Sequence, residues 1–273
     1  MSKGVLLHAF GNELVNYYEL AELSARLIKK NLKLPVVCVT DRDLNGFDEI
    51  IKVDAPMNQL KDVKINGEVT RHKINNDTRF RSYELTPFDQ TLILDTDYLV
   101  FCNSFLKYFY LDVDFICPYS IKNIATQKVE SYLINNTMKQ AWATAIYFRK
   151  SEYAKSVFDY CNLIRENYRY YSKLLGVRGY IRNDYILSLA LHVLNGYNEP
   201  KLKMDPINWV SNEIIIKDIN VLNRKIKSPG VNLRFNYKEK LIQLTPTNVH
   251  LMNKLDILKP EIKEKLIQYA NVI

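Results

Sequence analysis

The chain has 273 residues, 47% of them hydrophobic, and carries a formal net charge of +8. It can bury a core as one large α/β domain or as a domain with a small appendage, and 8 glycines and 9 prolines leave no long flexible linker. No apolar run approaches the roughly 20 residues of a membrane helix, and Met1-Ser2-Lys3-Gly4 does not read as a signal peptide.

Residues 4–9 read as a first strand, and apolar residues at Leu14, Val15, Tyr18, Leu23, Leu27 and Ile28 predict a helix over 12–30. A β-branched run over 34–40 and a segment at 48–53 predict two further strands. Residues 54–78 are polar and show no clear period. A helix over 79–86 then leads through Pro87 to a strand at 91–94. Further strands are expected at 115–119 and 143–148, with an ill-defined polar excursion over 121–140 between them. Helices follow at 151–174 and 182–195, then strands at 231–235, 240–244 and 248–251, and an amphipathic helix at 259–269. Strand–helix–strand alternation at the start argues for a mostly parallel sheet covered by helices. The four cysteines (Cys38, Cys102, Cys117, Cys161) lack Cys-x-x-Cys spacing and read as reduced thiols of a cytoplasmic protein. The basic residues are spread along the chain, with local clusters at Arg79/Arg81 and Arg165/Arg169. The charge therefore fits either an ordinary basic surface or a partner bearing phosphates.

One segment stands apart: Thr91-Leu92-Ile93-Leu94-Asp95-Thr96-Asp97-Tyr98-Leu99-Val100-Phe101. Three Asp-x-Asp pairs occur, at Asp41/Asp43, Asp95/Asp97 and Asp112/Asp114, and spacing alone does not separate them. Only Asp95/Asp97 is flanked by apolar residues on both sides, where charge is costly without a partner. If the chain stayed extended, the two carboxylates would share a face at a strand's carboxyl end, the edge where open α/β sheets bind ligands. Hard oxygen donors there suit Mg²⁺ or Mn²⁺ bridging to phosphate.

The block from Thr78 to Gln90 (TRFRSYELTPFDQ), running into Leu92-Ile93-Leu94-Asp95-Thr96-Asp97, resembles the centre of glycogenin-like and galactosyltransferase-like enzymes of glycosyltransferase family 8. A second block, Asn248-Val249-His250-Leu251-Met252-Asn253-Lys254, is similar to that family's late strand. The resemblance covers about 4–254 and is specific at 78–97 and 248–254. It implies a GT-A fold: α/β, with a Rossmann-like mixed, mostly parallel sheet flanked by helices. One domain over 1–273 is expected, with a nucleotide-binding half at about 1–120 and an acceptor half at about 121–273.

Several roles follow from the resemblance. Asp95, Asp97 and His250 would hold Mn²⁺ (or Mg²⁺), the imidazole favouring Mn²⁺. Lys254, Arg79 and Asp95 would meet the diphosphate of a nucleotide sugar, a UDP-sugar first among donors. Ala9, Phe10, Gly11 and Tyr17 would face the nucleoside. Asp184 and Arg79 carry the catalytic assignment: Asp184 beside the donor sugar, Arg79 stabilising charge on the leaving group. Ala143 and Ala145 stand where the family has Asn-x-Gly, and Tyr185 stands where a glutamine follows the aspartate. The reaction implied is metal-dependent glycosyl transfer with retention. The acceptor (glycan, protein or modified DNA) and the oligomeric state stay open. A virus-type DNA glycosyltransferase working in a host cytoplasm, a nucleotidyltransferase and a non-catalytic nucleotide-binding domain are the alternatives.

Overall fold

The computed structural model describes residues 1–54, 59–65, 68–75, 77–134, 138–177, 181–211, 214–221, 231–237, 240–243 and 247–271. Strand β1 (Lys3–Ala9) leads into helix α1 (Tyr17–Leu32). The helix starts five residues later than its apolar spacing predicts. Asn12 accepts hydrogen bonds from the Leu14 and Val15 N–H groups at 2.9 and 2.8 Å, which holds that stretch in a local turn. Asn16 then caps the helix through the Glu19 N–H, and Lys33 ends it in the left-handed region at φ 53°.

Strands β2 (Val36–Thr40) and β3 (Glu49–Lys52) follow as expected. The stretch read as irregular over 54–78 instead contains β4 (Gln59–Ile65) and β5 (Glu68–Ile74), an antiparallel pair in register from Ile65↔Glu68 to Gln59↔Ile74. The predicted helix over 79–86 is a 3₁₀ turn (Asp77–Arg81) and a single-turn α2 (Ser82–Leu85). Next come β6 (Gln90–Leu94), β7 (Tyr98–Leu99), a second 3₁₀ turn (Ser104–Tyr110) and a short β8 (Phe115–Ile116). The excursion at 121–140 contains β9 (Ile121–Asn123) and β10 (Val129–Glu130), paired antiparallel.

After β11 (Ala145–Arg149), the single helix predicted over 151–174 is two, α3 (Glu152–Glu166) and α4 (Tyr168–Leu174). The break falls at Asn167, whose side-chain amide donates back to the Leu163 carbonyl at 3.0 Å. Then follow α5 (Asn183–Leu194), β12 (Ile207–Val210) and β13 (Ile215–Val221), the two strands being unforeseen. The chain closes with β14 (Val231–Tyr237), β15 (Lys240–Gln243), β16 (Val249–Leu251), α6 (Lys254–Ile257) and α7 (Pro260–Asn271).

The main sheet has the order β3-β2-β1-β6-β11-β8, with β3, β2, β1 and β6 parallel and β11 antiparallel to both its neighbours. It is a mixed, mostly parallel sheet flanked by helices, as expected. Leu6, Val37, Ile93, Ile146 and Phe148 point to one side, against Val157, Phe158, Ile186 and Ala190 of α3 and α5. Val5, Leu7, Leu92 and Leu94 point to the other, against Ala21, Ala25 and Ile28 of α1. Each buried Val, Leu, Ile or Phe side chain among these contributes about 1.5–3 kcal/mol relative to exposure. A second sheet runs β10-β9-β12-β16-β7. The opposite stripe of α1 (Leu20, Leu23, Leu27) packs with Leu99, Val249 and Leu266, so one helix is buried against both sheets. The strand order reverses between β1 and β6, which places the ligand-binding crevice of such a sheet at their carboxyl ends.

Candidate metal and phosphate site

Strand β6 is entirely buried and ends at Leu94. The Asp95 N–H donates to the Thr144 carbonyl at 3.0 Å, and the Tyr98 N–H donates back to the Asp95 carbonyl at 3.0 Å. Asp95-Thr96-Asp97 is therefore a turn and not extended strand, and the two carboxylates meet through the turn, contrary to the face-sharing argument. The second sheet brings in the rest. The Leu251 N–H donates to the Asp97 carbonyl at 3.0 Å, and antiparallel pairing sets His250 opposite Tyr98, their rings stacked with centroids 6.0 Å apart.

His250 Nε2 lies 3.2 Å from Asp97 Oδ2 and 3.8 Å from Asp95 Oδ2. One donor atom from each of Asp95, Asp97 and His250 falls within 4.8 Å of the others, the one such group among the described residues. Two carboxylates and one imidazole nitrogen are a donor set whose chemistry suits a divalent ion such as Mn²⁺ or Mg²⁺. His250 Nδ1 is buried without a hydrogen-bond partner, so Nε2 alone is turned toward the carboxylates. Lys254, in the first turn of α6, puts Nζ 2.7 Å from Asp97 Oδ2.

Arg79 is buried. Its guanidinium donates to the Ala143 carbonyl and pairs with Asp95 Oδ1. The turn carrying it is fixed from β1: Ser82 Oγ donates to the Arg79 carbonyl at 2.6 Å, which leaves the Ser82 hydroxyl oxygen to accept from His8 Nε2 at 2.8 Å. His8 Nδ1 is then the acceptor for Thr78 Oγ1 at 3.1 Å, an assignment of the tautomer made from the network. Across the cleft, Asp184 in the first turn of α5 accepts from the Ala143 N–H at 2.9 Å and from Arg182 at 2.9 Å. One residue, Ala143, thus joins Asp184 through its N–H to Arg79 through its carbonyl, and so to Asp95.

The two acids of the turn differ electrostatically. Burial would raise both; for Asp97 the Lys254 ammonium and the facing His250 imidazole overcome it and hold the carboxyl far below the usual range. Asp95 is pushed up, by burial first and by the Asp97 charge beside it, against the pull of Arg79. Lys254 is raised: Asp97 outweighs the desolvation that would lower it. His8 is held well below its ordinary value by burial and by the charge of Arg79, so it stays neutral. Tyr17 is raised by burial.

These groups line a cleft of about 420 Å³, which also takes in Phe10, Asn12, Tyr17, Trp142 and Met252. Of the sequence-predicted residues, Asp95, Asp97, His250, Lys254, Arg79, Asp184, Phe10 and Tyr17 line it together. Ala9 and Gly11 are not part of the lining: Ala9 is buried in the core beside α1, and a Cβ at Gly11 would meet the Tyr18 ring at 2.2 Å. Sequence reasoning missed His8, Trp142 and Arg182. The only cue to Arg182 was a cation two residues before Asp184.

No protein-family profile matches the chain, nor does any curated protein sequence. Among solved structures, the apo form of the glycosyltransferase GlyE of Streptococcus pneumoniae TIGR4 is similar over 75% of this chain and 46% of its own, with 13% identity and a TM-score of 0.40. The galactosyltransferase LgtC, in complex with donor and acceptor sugar analogues, is similar over 68% of this chain and 69% of its own, with 15% identity and a TM-score of 0.41. The bifunctional IspDF of Campylobacter jejuni is similar over 58% and 43% respectively, at 13% identity and a TM-score of 0.36. The chain spans less than half the length of the GlyE chains it resembles.

Proposed function

We propose that this chain is a metal-dependent glycosyltransferase of the GT-A kind, similar to family 8, that moves a sugar from a nucleotide-sugar donor to an acceptor. The observation that carries this reading is the convergence of Asp95, Asp97, His250 and Lys254 from two blocks more than 150 residues apart, the same two blocks on which the family resemblance rests. The chemical difficulty is cleavage of a sugar–phosphate bond, with negative charge building on the departing diphosphate. A Mn²⁺ held by Asp95, Asp97 and His250 would supply Lewis-acid neutralisation of that charge.

The chain's own residues do the remainder. Lys254 presents a fixed ammonium to the diphosphate oxygens, a stabilisation that grows as they gain charge. Arg79 acts one step back: paired to Asp95 and to the Ala143 carbonyl, it orients the ligand carboxylate and the wall of the cleft. Asp184 is set beside the donor sugar, where a free lone pair can accept from a sugar hydroxyl. Phe10 and Tyr17 line the cleft and would face the nucleoside. UDP-sugars are the first donors to try, and retention is the expected stereochemistry.

The test is release of nucleoside diphosphate from a panel of UDP-, GDP- and other nucleotide sugars with Mn²⁺. Turnover of one donor, lost on chelation and in Asp97→Asn, is expected. No turnover or binding of any donor refutes the reading.

A further inference from the structure

Asp97 Oδ2 has an ammonium and an imidazole nitrogen against it. Lys254 Nζ lies 2.7 Å from it and His250 Nε2 lies 3.2 Å from it. The side chains of Asp97 and Lys254 are 4% and 14% exposed, so this ion pair sits largely out of water. A divalent ion reaching Asp97 therefore meets an ammonium already seated on the oxygen it needs. Displacing that ammonium inside a poorly solvated site leaves a charge without its partner, which is far costlier than on the surface. A diphosphate removes the penalty, because its oxygens give the ammonium a new anionic partner. The long flexible stem of a lysine allows the exchange, where the fixed fork of an arginine would resist it.

The charges of the cleft agree. Asp95, Asp97 and Asp184 are matched one to one by Arg79, Lys254 and Arg182. A bare divalent ion upsets that balance, whereas an ion arriving with a diphosphate does not. Resting on the glycosyl-transfer reading above, we propose that the cleft takes the metal and the diphosphate as one unit, with Lys254 exchanging Asp97 for the diphosphate as the ion arrives. Each half alone binds poorly, because the Lys254 ammonium holds Asp97 until a diphosphate draws it away.

The experiment is titration of Mn²⁺ followed by electron paramagnetic resonance, with and without a saturating nucleotide chosen by calorimetry from UDP, GDP, ADP and CDP. In the wild-type chain the nucleotide is expected to tighten Mn²⁺ roughly tenfold or more. Lys254→Met is expected to bind bare Mn²⁺ about tenfold tighter than wild type, and the tightening by nucleotide should shrink. Lys254→Arg, which keeps the charge, should leave bare-ion binding weak. Independent binding of ion and nucleotide to the wild-type chain overturns the proposal without recourse to any variant. Equal bare-ion affinity in wild type and a folded Lys254→Met overturns it as well. Both outcomes leave the glycosyl-transfer reading intact. That reading falls together with this one if Mn²⁺ binds neither protein, with or without nucleotide.

Discussion

Asp97 is the residue on which most of the site's charge converges, and it can be probed without removing its volume. Asp97→Asn should abolish Mn²⁺ binding in the presence of nucleotide, measured by electron paramagnetic resonance. It should also lower stability at neutral pH by roughly 1–3 kcal/mol, because Lys254 and His250 keep only a neutral acceptor. The sign in acid follows from the depressed carboxyl. Its stabilisation is present above the ordinary carboxylate range and is lost as pH falls through the folded value, so the deficit of the variant should close in strong acid. His8 behaves oppositely. Held neutral in the folded chain, it gains a proton on unfolding below pH ~6.5, so stability should fall by up to ~1.4 kcal/mol per pH unit there. Urea denaturation of His8→Asn between pH 7 and pH 5 should show that slope reduced; an unchanged slope would contradict the buried neutral assignment. That Asp95, Asp97, His250 and Lys254 would cluster was legible because two short blocks carried them. The bonds of Arg79 were not, because its carbonyl partner lies 64 residues away in a loop that only the folded chain brings near.

At the scale of elements, the geometry of His250 depends on how β16 is pinned beside β7. Asn248 does this, accepting from the Phe101 and Cys102 N–H groups at 2.8 and 2.9 Å and donating to Ser104 Oγ at 2.9 Å. Asn248→Ala would strand two backbone donors, one of them buried. It should cost about 2–4 kcal/mol in denaturant unfolding and weaken Mn²⁺ binding although Asn248 contacts no ligand group. Full Mn²⁺ affinity in a destabilised variant would show that the strand keeps its place without this anchor. The main-sheet strands were readable because burial on both faces gives near-continuous apolar runs such as 36–39 and 92–94. Short edge pairs were not: β9 and β10 have three and two residues, too few to establish a period. The β4–β5 pair does carry a sequence signal, since Asn66-Gly67 between two runs is a strong hairpin cue. α3 and α4 were merged because tyrosines 168, 170 and 171 continue an apolar pattern across Asn167, and periodicity carries no mark of a capping side chain.

At the scale of the molecule, the site is divided between two sheets. Asp95 follows β6 of the main sheet and leans on Thr144, just ahead of β11; His250 lies on β16 of the second sheet. The two layers share α1, whose opposite stripes enter separate cores. A ligand gripping both acids and the imidazole therefore bridges the layers, and its binding energy should appear as resistance to global unfolding. One site filled at a hundred times its dissociation constant contributes about 2.7 kcal/mol. For a chain of this length that corresponds to a melting shift of about 5 °C. Mn²⁺ with the cognate nucleotide sugar should produce the shift in differential scanning calorimetry, and Asp97→Asn should not show it. A shift preserved in Asp97→Asn would locate the binding elsewhere, because no ion could then span the two sheets through that carboxylate.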